Sequence, residues 1–262
     1  MELNTPQGIL FGYAGARVHQ PGQKAVVFIH GTGMDHTVWV LPSRYFARHG
    51  YNVLAPDLPG HGRSGGAPAA TIDAMADAVV AGMSAAGIEQ AALVGHSMGS
   101  LVALSAAGRY PDRTRVLALI GSTAPMAVHP KLLEHAEKND HAAIDMLTYW
   151  SYSKDAQLGG SETPGLWMAG NTLRLLERAA DNVIHIDLAA CQAYHAGLAH
   201  AQAVQCPTLF VLGERDIMTP VRSAQGVIDA ITNARVSVLE GCGHSIMLER
   251  PEALLDALIT IV

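Results

Sequence analysis

Short apolar runs alternate with longer segments of helical periodicity along most of the chain. The run 25–29 is apolar at every position, which is typical of a parallel strand buried on both faces. Weaker runs of the same kind predict further strands at residues 52–55, 91–94, 116–120, 207–212 and 235–239. Strands that alternate with helical patterns indicate βαβ units and therefore a mostly parallel sheet flanked by helices.

Helical patterns fill the intervals between these strands. After Thr71, a candidate N-cap, apolar residues recur at helical spacing, and Gly87 is suited to end that helix. The segment 97–109 is rich in Gly, Ala and Ser, as expected of a helix that packs closely on a sheet. Pro251 stands at a favourable first-turn position for a final apolar helix that runs to residue 262.

The alternation of strands and helices is interrupted once, at residues 125–205. Helical patterns follow one another there without a convincing strand, and the segment carries Trp150 and Trp167. An all-helical insertion in an α/β chain is most simply a cap over the mouth of the sheet, where such folds bind ligands. We therefore predict a core of residues 1–124 and 206–262 and a helical cap at 125–205. A strand missed inside the insertion is the alternative.

Composition narrows the possible functions. The 262 residues are 49% apolar and only 15% charged, so a large core is expected and a disordered chain is excluded. A net charge of −6 leaves no basic surface for a phosphate backbone, so no nucleic-acid partner is expected. No apolar run approaches the roughly 18 residues of a membrane-spanning helix, so no membrane partner is expected either.

The N-terminal residues and the spacing of the cysteines indicate the cellular compartment. The N-terminal residues show no basic leader followed by an apolar stretch, and three cysteines lack the spacing of a disulfide framework. We therefore expect a cytoplasmic protein with reduced thiols.

A Gly-x-Ser-x-Gly motif at residues 95–99 is the strongest candidate for chemistry. It follows the predicted strand 91–94 and precedes a predicted helix, which puts Ser97 on a sharp strand-to-helix turn. Glycines two residues to either side leave room for such a turn. A serine hydroxyl is a poor nucleophile unless a base takes its proton, and the base needs an orienting acid.

Two later loops supply that base and that acid. Asp216 lies just beyond the predicted strand 207–212, and His244 follows the strand 235–239 in a glycine-rich loop. Glu214 is a competing acid two residues before Asp216.

Together these motifs resemble the α/β-hydrolase superfamily over essentially the whole chain, in its serine-nucleophile, esterase-like branch with a helical cap. The resemblance extends to the His-Gly-x-Gly loop at residues 30–33 and to the segment 57–64. It implies that Ser97 is the nucleophile, His244 the general base and Asp216 the carboxylate that orients the imidazole. Asp216 is preferred to Glu214 because the family's Asp-x-x-x-Pro pattern falls on it.

The same resemblance implies an oxyanion hole made of main-chain groups. Its donors would be the backbone N–H of Met98, after the nucleophile, and that of Thr32 in the His-Gly-x-Gly loop.

The resemblance also implies a hydrolase that needs no cofactor. We expect a carboxylesterase that cleaves small to medium apolar esters through an acyl-enzyme. Relatives that attack with Asp, the haloalkane dehalogenases and epoxide hydrolases, are disfavoured by the serine. Hydrolysis of a carbon–carbon bond in a dienoic ring-cleavage product and of an enol lactone remain alternatives. A hydrolase-like ligand receptor is the alternative from another class.

The cap sequence is the expected source of substrate contacts. Its apolar and aromatic concentration predicts an apolar pocket, with contacts from Met146, Trp150, Trp167 and Met168. Arg174 and Arg178, one helical turn apart, would either receive a substrate carboxylate or form a solvated face with neighbouring acids.

No metal site is expected. Asp187, Cys191 and His195 share one helix face, but no carboxylate–histidine signature or cysteine pair accompanies them, so this spacing is interpreted as incidental. Three other histidines are interpreted as structural: His30, His61 and His96.

Overall fold

Eight strands form one sheet in the computed structural model, which describes residues 1–161 and 165–262. The strands are β1 (Glu2–Thr5), β2 (Gly8–Tyr13), β3 (Ala25–Ile29), β4 (Asn52–Pro56), β5 (Ala91–His96), β6 (Thr114–Ile120), β7 (Thr208–Gly213) and β8 (Arg235–Leu239). Their order across the sheet is β1-β2-β4-β3-β5-β6-β7-β8. Strands β3 to β8 pair in parallel, whereas β1 with β2 and β2 with β4 pair antiparallel.

Each strand predicted from an apolar run is present, with ends displaced by at most two residues. The prediction missed β1 and β2, the antiparallel pair at one edge of the sheet. β2 carries apolar residues at 9–11 and is buried from Leu10 to Gly12, but this short run was not assigned to a strand. β1 has a weak apolar signal because one of its faces is solvated: Leu3 is buried, while Glu2 and Asn4 are exposed. A strand with one solvated face lacks the continuous apolar run of a central parallel strand.

The helices pack on both faces of the sheet. They are α1 (Val40–Arg48), α2 (Ile72–Ala85), α3 (Met98–Arg109), α4 (Pro130–Glu137), α5 (His141–Trp150), α6 (Lys154–Gln157), α7 (Met168–Leu176), α8 (Val183–Ala193), α9 (Gly197–Ala203), α10 (Gln225–Ala230), α11 (Ile246–Glu249) and α12 (Pro251–Ile259). Thr71 caps α2 as its side chain accepts the N–H of Ala74. The last helix ends three residues before the predicted 262.

The apolar core is divided by the sheet into two layers. In β3, Val27 and Ile29 belong to the layer that contains α2 and α3, whereas Val26 and Phe28 belong to the other layer. All four side chains are fully buried, because successive strand residues point to opposite faces and both faces are covered. None of the helices in the described ranges has the length and hydrophobicity needed to cross a membrane.

Between β6 and β7 the described residues form the helices α4 to α9, joined by turns and loops, and contain no strand. Helices α4, α5, α7 and α8 pack on one another, whereas α9 packs against α3 and α10. The last helix of the insertion therefore lies against the core layer rather than among the other helices of the insertion.

Candidate active site

Ser97 lies at the turn between β5 and α3. Its backbone conformation is costly for any residue other than glycine. Its backbone has φ +53° and ψ −121°. Two glycines make the turn possible: a Cβ on Gly99 would overlap the carbonyl oxygen of Ile29, and a Cβ on Gly95 would overlap the backbone of Gly99. The motif therefore allows β3, β5 and α3 to approach closely, and it holds Ser97 at the carboxyl end of the sheet.

His244 is held by Asp216 at the same edge of the sheet. Nδ1 of His244 lies 2.7 Å from Oδ2 of Asp216, and both side chains are buried. The carboxylate also accepts the N–H groups of Met218 and Thr219, each at 2.8 Å. Burial opposes ionisation of Asp216, but His244 together with the N–H and hydroxyl of Thr219 outweighs it and lowers the pKa of Asp216 to about 2.

This arrangement determines which nitrogen of His244 is available as a base. Because Asp216 is ionised and only accepts, Nδ1 of His244 carries the proton. The other nitrogen, Nε2, is buried and has no hydrogen-bond partner among the described residues. Ser97 and His244 line one cavity, so the nucleophile candidate and the free lone pair share the same space. Glu214 instead bonds the N–H of Gly241 at the surface.

The two expected oxyanion donors lie beside this turn. Met98 is the first residue of α3, so its N–H has no carbonyl acceptor inside the helix. Thr32 lines the cavity in the loop after β3. A Cβ on Gly31 would lie 3.3 Å from Cβ of Ser97, so glycine at this position lets the loop rest against the serine.

The cavity has a volume of about 530 Å³ and is predominantly apolar. Core loops and insertion helices both contribute apolar side chains to its wall, including Met34, Leu132, Leu147, Trp150, Leu176 and Leu188. Outside the two catalytic candidates and His96, its polar side chains are Thr32, His129, Ser151 and Thr219. Among the described residues no Asp, Glu, Lys or Arg lines it.

Of the four expected substrate contacts, the structure places only Trp150 in the described cavity wall. Met146 is half-buried against the core, and Met168 is buried in a small separate cluster with Tyr152 and Ala156. Trp167 is 59% exposed. The apolar composition of the insertion identified the character of the wall, but the rotation of each helix about its axis decides which residues reach it.

The two arginines lie outside the described cavity wall. Arg174 is exposed and pairs at 2.6 Å with Glu177, the residue that follows the end of α7. Arg178 is also exposed, 3.6 Å from the Asp35 carboxylate. They therefore belong to the solvated face, the second of the two arrangements that the sequence left open.

Two of the other histidines make the hydrogen bonds that fix loops. His96 Nε2 donates to the carbonyl oxygen of His244 at 2.9 Å, while burial and the neighbouring His244 lower the pKa of His96 to about 3. His30 Nδ1 donates to the carbonyl oxygen of Gly31, and its Nε2 accepts the N–H of Leu58. Burial lowers the pKa of His30 to about 4, with His61 contributing. Both rings are therefore neutral at pH 7.

The helix face considered for a metal carries a different arrangement. Asp187 accepts the N–H of Gly33 at 2.8 Å and lies 2.9 Å from Nε2 of His61. Burial raises the pKa of the Cys191 thiol, which disfavours the thiolate that binds metals. The sequence contained a signal that Asp187 would bond to other buried groups. A carboxylate that lies between apolar residues of a helix is buried, and a buried carboxylate needs a partner.

Another group in the described residues has the spacing of metal ligands: Asp35, His36 and Asp57, whose nearest atoms lie within 4.8 Å of one another. Its carboxylates already have partners. Asp57 accepts the N–H and ring Nδ1 of His36 at 2.7 Å and the N–H of Arg63 at 2.8 Å. Asp35 accepts the N–H of Thr37 at 2.9 Å as a helix cap. These hydrogen bonds explain why the three residues lie together: they hold the adjoining loops in place.

Comparison with known proteins gives consistent matches. The sequence model of the alpha/beta hydrolase family matches residues 26–257. Protein ABHD8 of Mus musculus is 31% identical over 245 residues, which are 87% of this chain and 52% of that protein. The chain thus spans about half the length of the first curated relatives it matches.

Two further matches cover almost the whole of the matched protein. A pimeloyl-[acyl-carrier protein] methyl ester esterase of Aromatoleum aromaticum is 28% identical over 244 residues, 87% of this chain and 93% of that protein. The crystal structure of the enol-lactonase from Burkholderia xenovorans LB400 superposes with a TM-score of 0.88 at 20% identity, covering 99% of this chain and 98% of that one.

Proposed function

Because the chain belongs to the α/β-hydrolase family, we propose that it is a cofactor-independent serine hydrolase that cleaves small to medium apolar carboxylic esters through an acyl-enzyme. One observation carries this proposal. A serine on a strained strand-to-helix turn shares an apolar cavity with a histidine whose Nδ1 is held by an ionised Asp216 and whose Nε2 is free. The named esterase among the relatives supports the same reaction class.

In the proposed reaction, His244 Nε2 takes the proton of the Ser97 hydroxyl as its oxygen attacks the ester carbonyl. Asp216 stabilises the imidazolium that forms, and the N–H groups of Thr32 and Met98 donate to the developing oxyanion. His244 then protonates the departing alkoxide, which leaves an acyl group on Ser97. A water molecule, deprotonated by the same Nε2, releases the acid and restores the serine.

The substrate is uncharged near the reacting carbonyl. A carboxylate in this cavity would lose water and gain no cation, because none of the described lining residues is Lys or Arg. Dienoic and oxo-acid substrates therefore fit the cavity less well than neutral esters. A cavity of about 530 Å³ also falls within the ordinary range for small-molecule sites.

The insertion at 125–205 acts as the cap of this site. Its helices contribute Leu132, Leu147, Trp150, Leu176 and Leu188 to the cavity wall, opposite the loops of the sheet. Each methylene group buried there contributes roughly 0.8 kcal/mol, so the cap favours butyrate- to hexanoate-sized acyl groups over acetate.

Replacement of the nucleophile gives the most direct test. We expect Ser97→Ala to lower turnover of p-nitrophenyl butyrate by up to about 10⁶-fold, because no other side chain then forms the acyl-enzyme. A fluorophosphonate probe should label Ser97 in the native protein, as read by mass spectrometry of its peptides. Ser223→Ala is the matched control, since this serine is exposed and lies outside the described cavity wall.

Two outcomes would contradict the proposal. Unchanged ester turnover in purified Ser97→Ala would exclude Ser97 as the nucleophile. A native protein that binds esters without turning them over, and that the probe does not label, would favour the ligand-receptor alternative.

A further inference from the structure

Asp187 is a fully buried carboxylate in α8 of the insertion, and it reaches a loop of the core. Its Oδ2 accepts the N–H of Gly33 at 2.8 Å and lies 2.9 Å from Nε2 of His61. Both partners belong to loops that follow core strands, β3 for Gly33 and β4 for His61. One carboxylate oxygen therefore joins the insertion to two core loops.

The surroundings of His61 favour its charged form. Its Nδ1 lies 3.0 Å from the carbonyl oxygen of Pro59 and its Nε2 lies beside Asp187. A carbonyl oxygen only accepts, so Nδ1 donates to Pro59, and Nε2 faces a carboxylate oxygen of Asp187. Burial opposes this charge, but Asp187 outweighs it and raises the pKa of His61, helped by Asp57; the neighbouring His30 stays neutral.

Such a buried ion pair is expensive to form. The cost of removing two charges from water often equals or exceeds their attraction, so a pair of apolar residues would serve stability equally well. The presence of the pair is therefore better explained by the loop that it holds in place than by a contribution to the stability of the fold.

The group held in place is the predicted oxyanion loop. Gly33 follows Thr32, whose N–H is one of the two expected oxyanion donors. Gly33 has φ +65°, and a Cβ there would lie 2.8 Å from a side-chain carbon of Ile184 in α8. Cys191, one turn beyond Asp187 in α8, lines the same cavity as Thr32. Two side chains of α8, those of Asp187 and Ile184, thus lie against Gly33.

We propose that Asp187, supported by His61, is a positioning residue that sets the peptide of Thr32 for oxyanion binding, so that full activity requires α8 to be seated on the loop. This inference rests on the proposed function. Oxyanion donors act at 2.7–3.1 Å from the oxygen, and a misplacement of about 1 Å costs on the order of 10²-fold in rate. Asp187 does not touch the substrate; it acts through Gly33.

The test compares Asp187→Ala with Asp187→Asn, with Asp181→Ala as a matched control. Asp181 is an exposed acid shortly before α8, so its replacement should leave the rates unchanged. Two rates are measured: kcat and KM for p-nitrophenyl butyrate, and the rate of Ser97 phosphonylation by a fluorophosphonate. The second rate requires the oxyanion hole but no ester that fits the pocket.

For Asp187→Ala we expect kcat and the phosphonylation rate to fall together by about 10- to 100-fold, with KM changed less than about twofold. Asp187→Asn should restore both rates to within about fivefold of native, since an amide oxygen still accepts the Gly33 N–H. A merely structural residue would lower the melting temperature and leave kcat unchanged.

If Asp187→Ala does not fold, the double variant Asp187→Leu/His61→Leu decides the question. It removes both charges without leaving one unpaired, and the same loss of rate is expected. Native kcat and phosphonylation rates in either folded variant, or a rise in KM alone, would overturn the inference. A native protein that neither hydrolyses the ester nor reacts with the probe would contradict the proposed function itself.

Discussion

The loops at the carboxyl end of the sheet and the helices of the insertion build the same cavity by different means. The loops contribute polar groups that local constraints hold in place: a strained turn at Ser97 and an ionised Asp216 against His244. The insertion contributes mainly apolar side chains to the cavity wall. Among its described carboxylates, Asp187 is the one that accepts a hydrogen bond from the predicted oxyanion loop, at Gly33. We therefore propose that the loops set the reaction class and that the insertion contributes most to the choice of substrate.

The largest effect that separates the two regions is expected at Asp216. Asp216→Asn should lower kcat for p-nitrophenyl butyrate by about 10⁴-fold with the fold retained, because an amide favours the wrong tautomer of His244. Glu214→Gln is the control on the same loop and should stay near native. Equal losses in the two variants would mean that the acid has been assigned to the wrong side chain.

The stability of this loop should depend on acid pH. The folded pKa of Asp216 is lowered from 3.8 to about 2, so its contribution to stability is present above pH 3.8 and is lost as the pH falls through about 2. A shift of this size corresponds to about 2 kcal/mol. Urea unfolding at pH 6 should show Asp216→Asn less stable than native by about that amount, and the difference should shrink towards pH 2. If the stability difference between the native protein and Asp216→Asn does not change with pH, it does not arise from the ionisation of Asp216.

In the insertion, two tryptophans should behave differently. Trp150 lines the cavity and Trp167 is 59% exposed. Trp150→Ala should reduce the preference for hexanoate over acetate esters by about tenfold, since roughly two methylene groups lose their contacts. Trp167→Ala should leave kcat/KM within about twofold for both esters. A larger effect at Trp167 would place the acyl chain outside the described cavity.

The smallest effect is expected at the exposed arginines of the insertion. Arg174→Ala and Arg178→Ala should leave hydrolysis of neutral esters nearly unchanged, because both side chains lie outside the described cavity wall. The comparison is sharpened by assaying a carboxylate-bearing ester beside the neutral one. A large loss confined to the carboxylate-bearing substrate would favour the carbon–carbon or lactone alternatives.

Features that depend on neighbouring residues could be predicted from the sequence, whereas features that depend on distant contacts could not. The fully apolar run of β3 and the glycines around Ser97 report constraints between neighbouring residues, and both are found where the sequence puts them. β1 was missed because one of its faces is solvated, which leaves only a weak apolar pattern, and the short apolar run of β2 was not assigned to a strand. The catalytic roles of Ser97, Asp216 and His244 stay predictions that the geometry supports.

By itself, the sequence determined the α/β class, the positions of the central strands along the chain, and the loops that carry the serine, the acid and the histidine. These features depend on backbone sterics and on the apolar periodicity of short segments, both of which can be read locally. Only the tertiary structure decided that Trp150 reaches the cavity while Trp167 does not, and that Asp187 bonds Gly33 and His61. The physical reason is that the rotation and seating of a helix depend on packing against residues more than a hundred positions away, which no local pattern encodes.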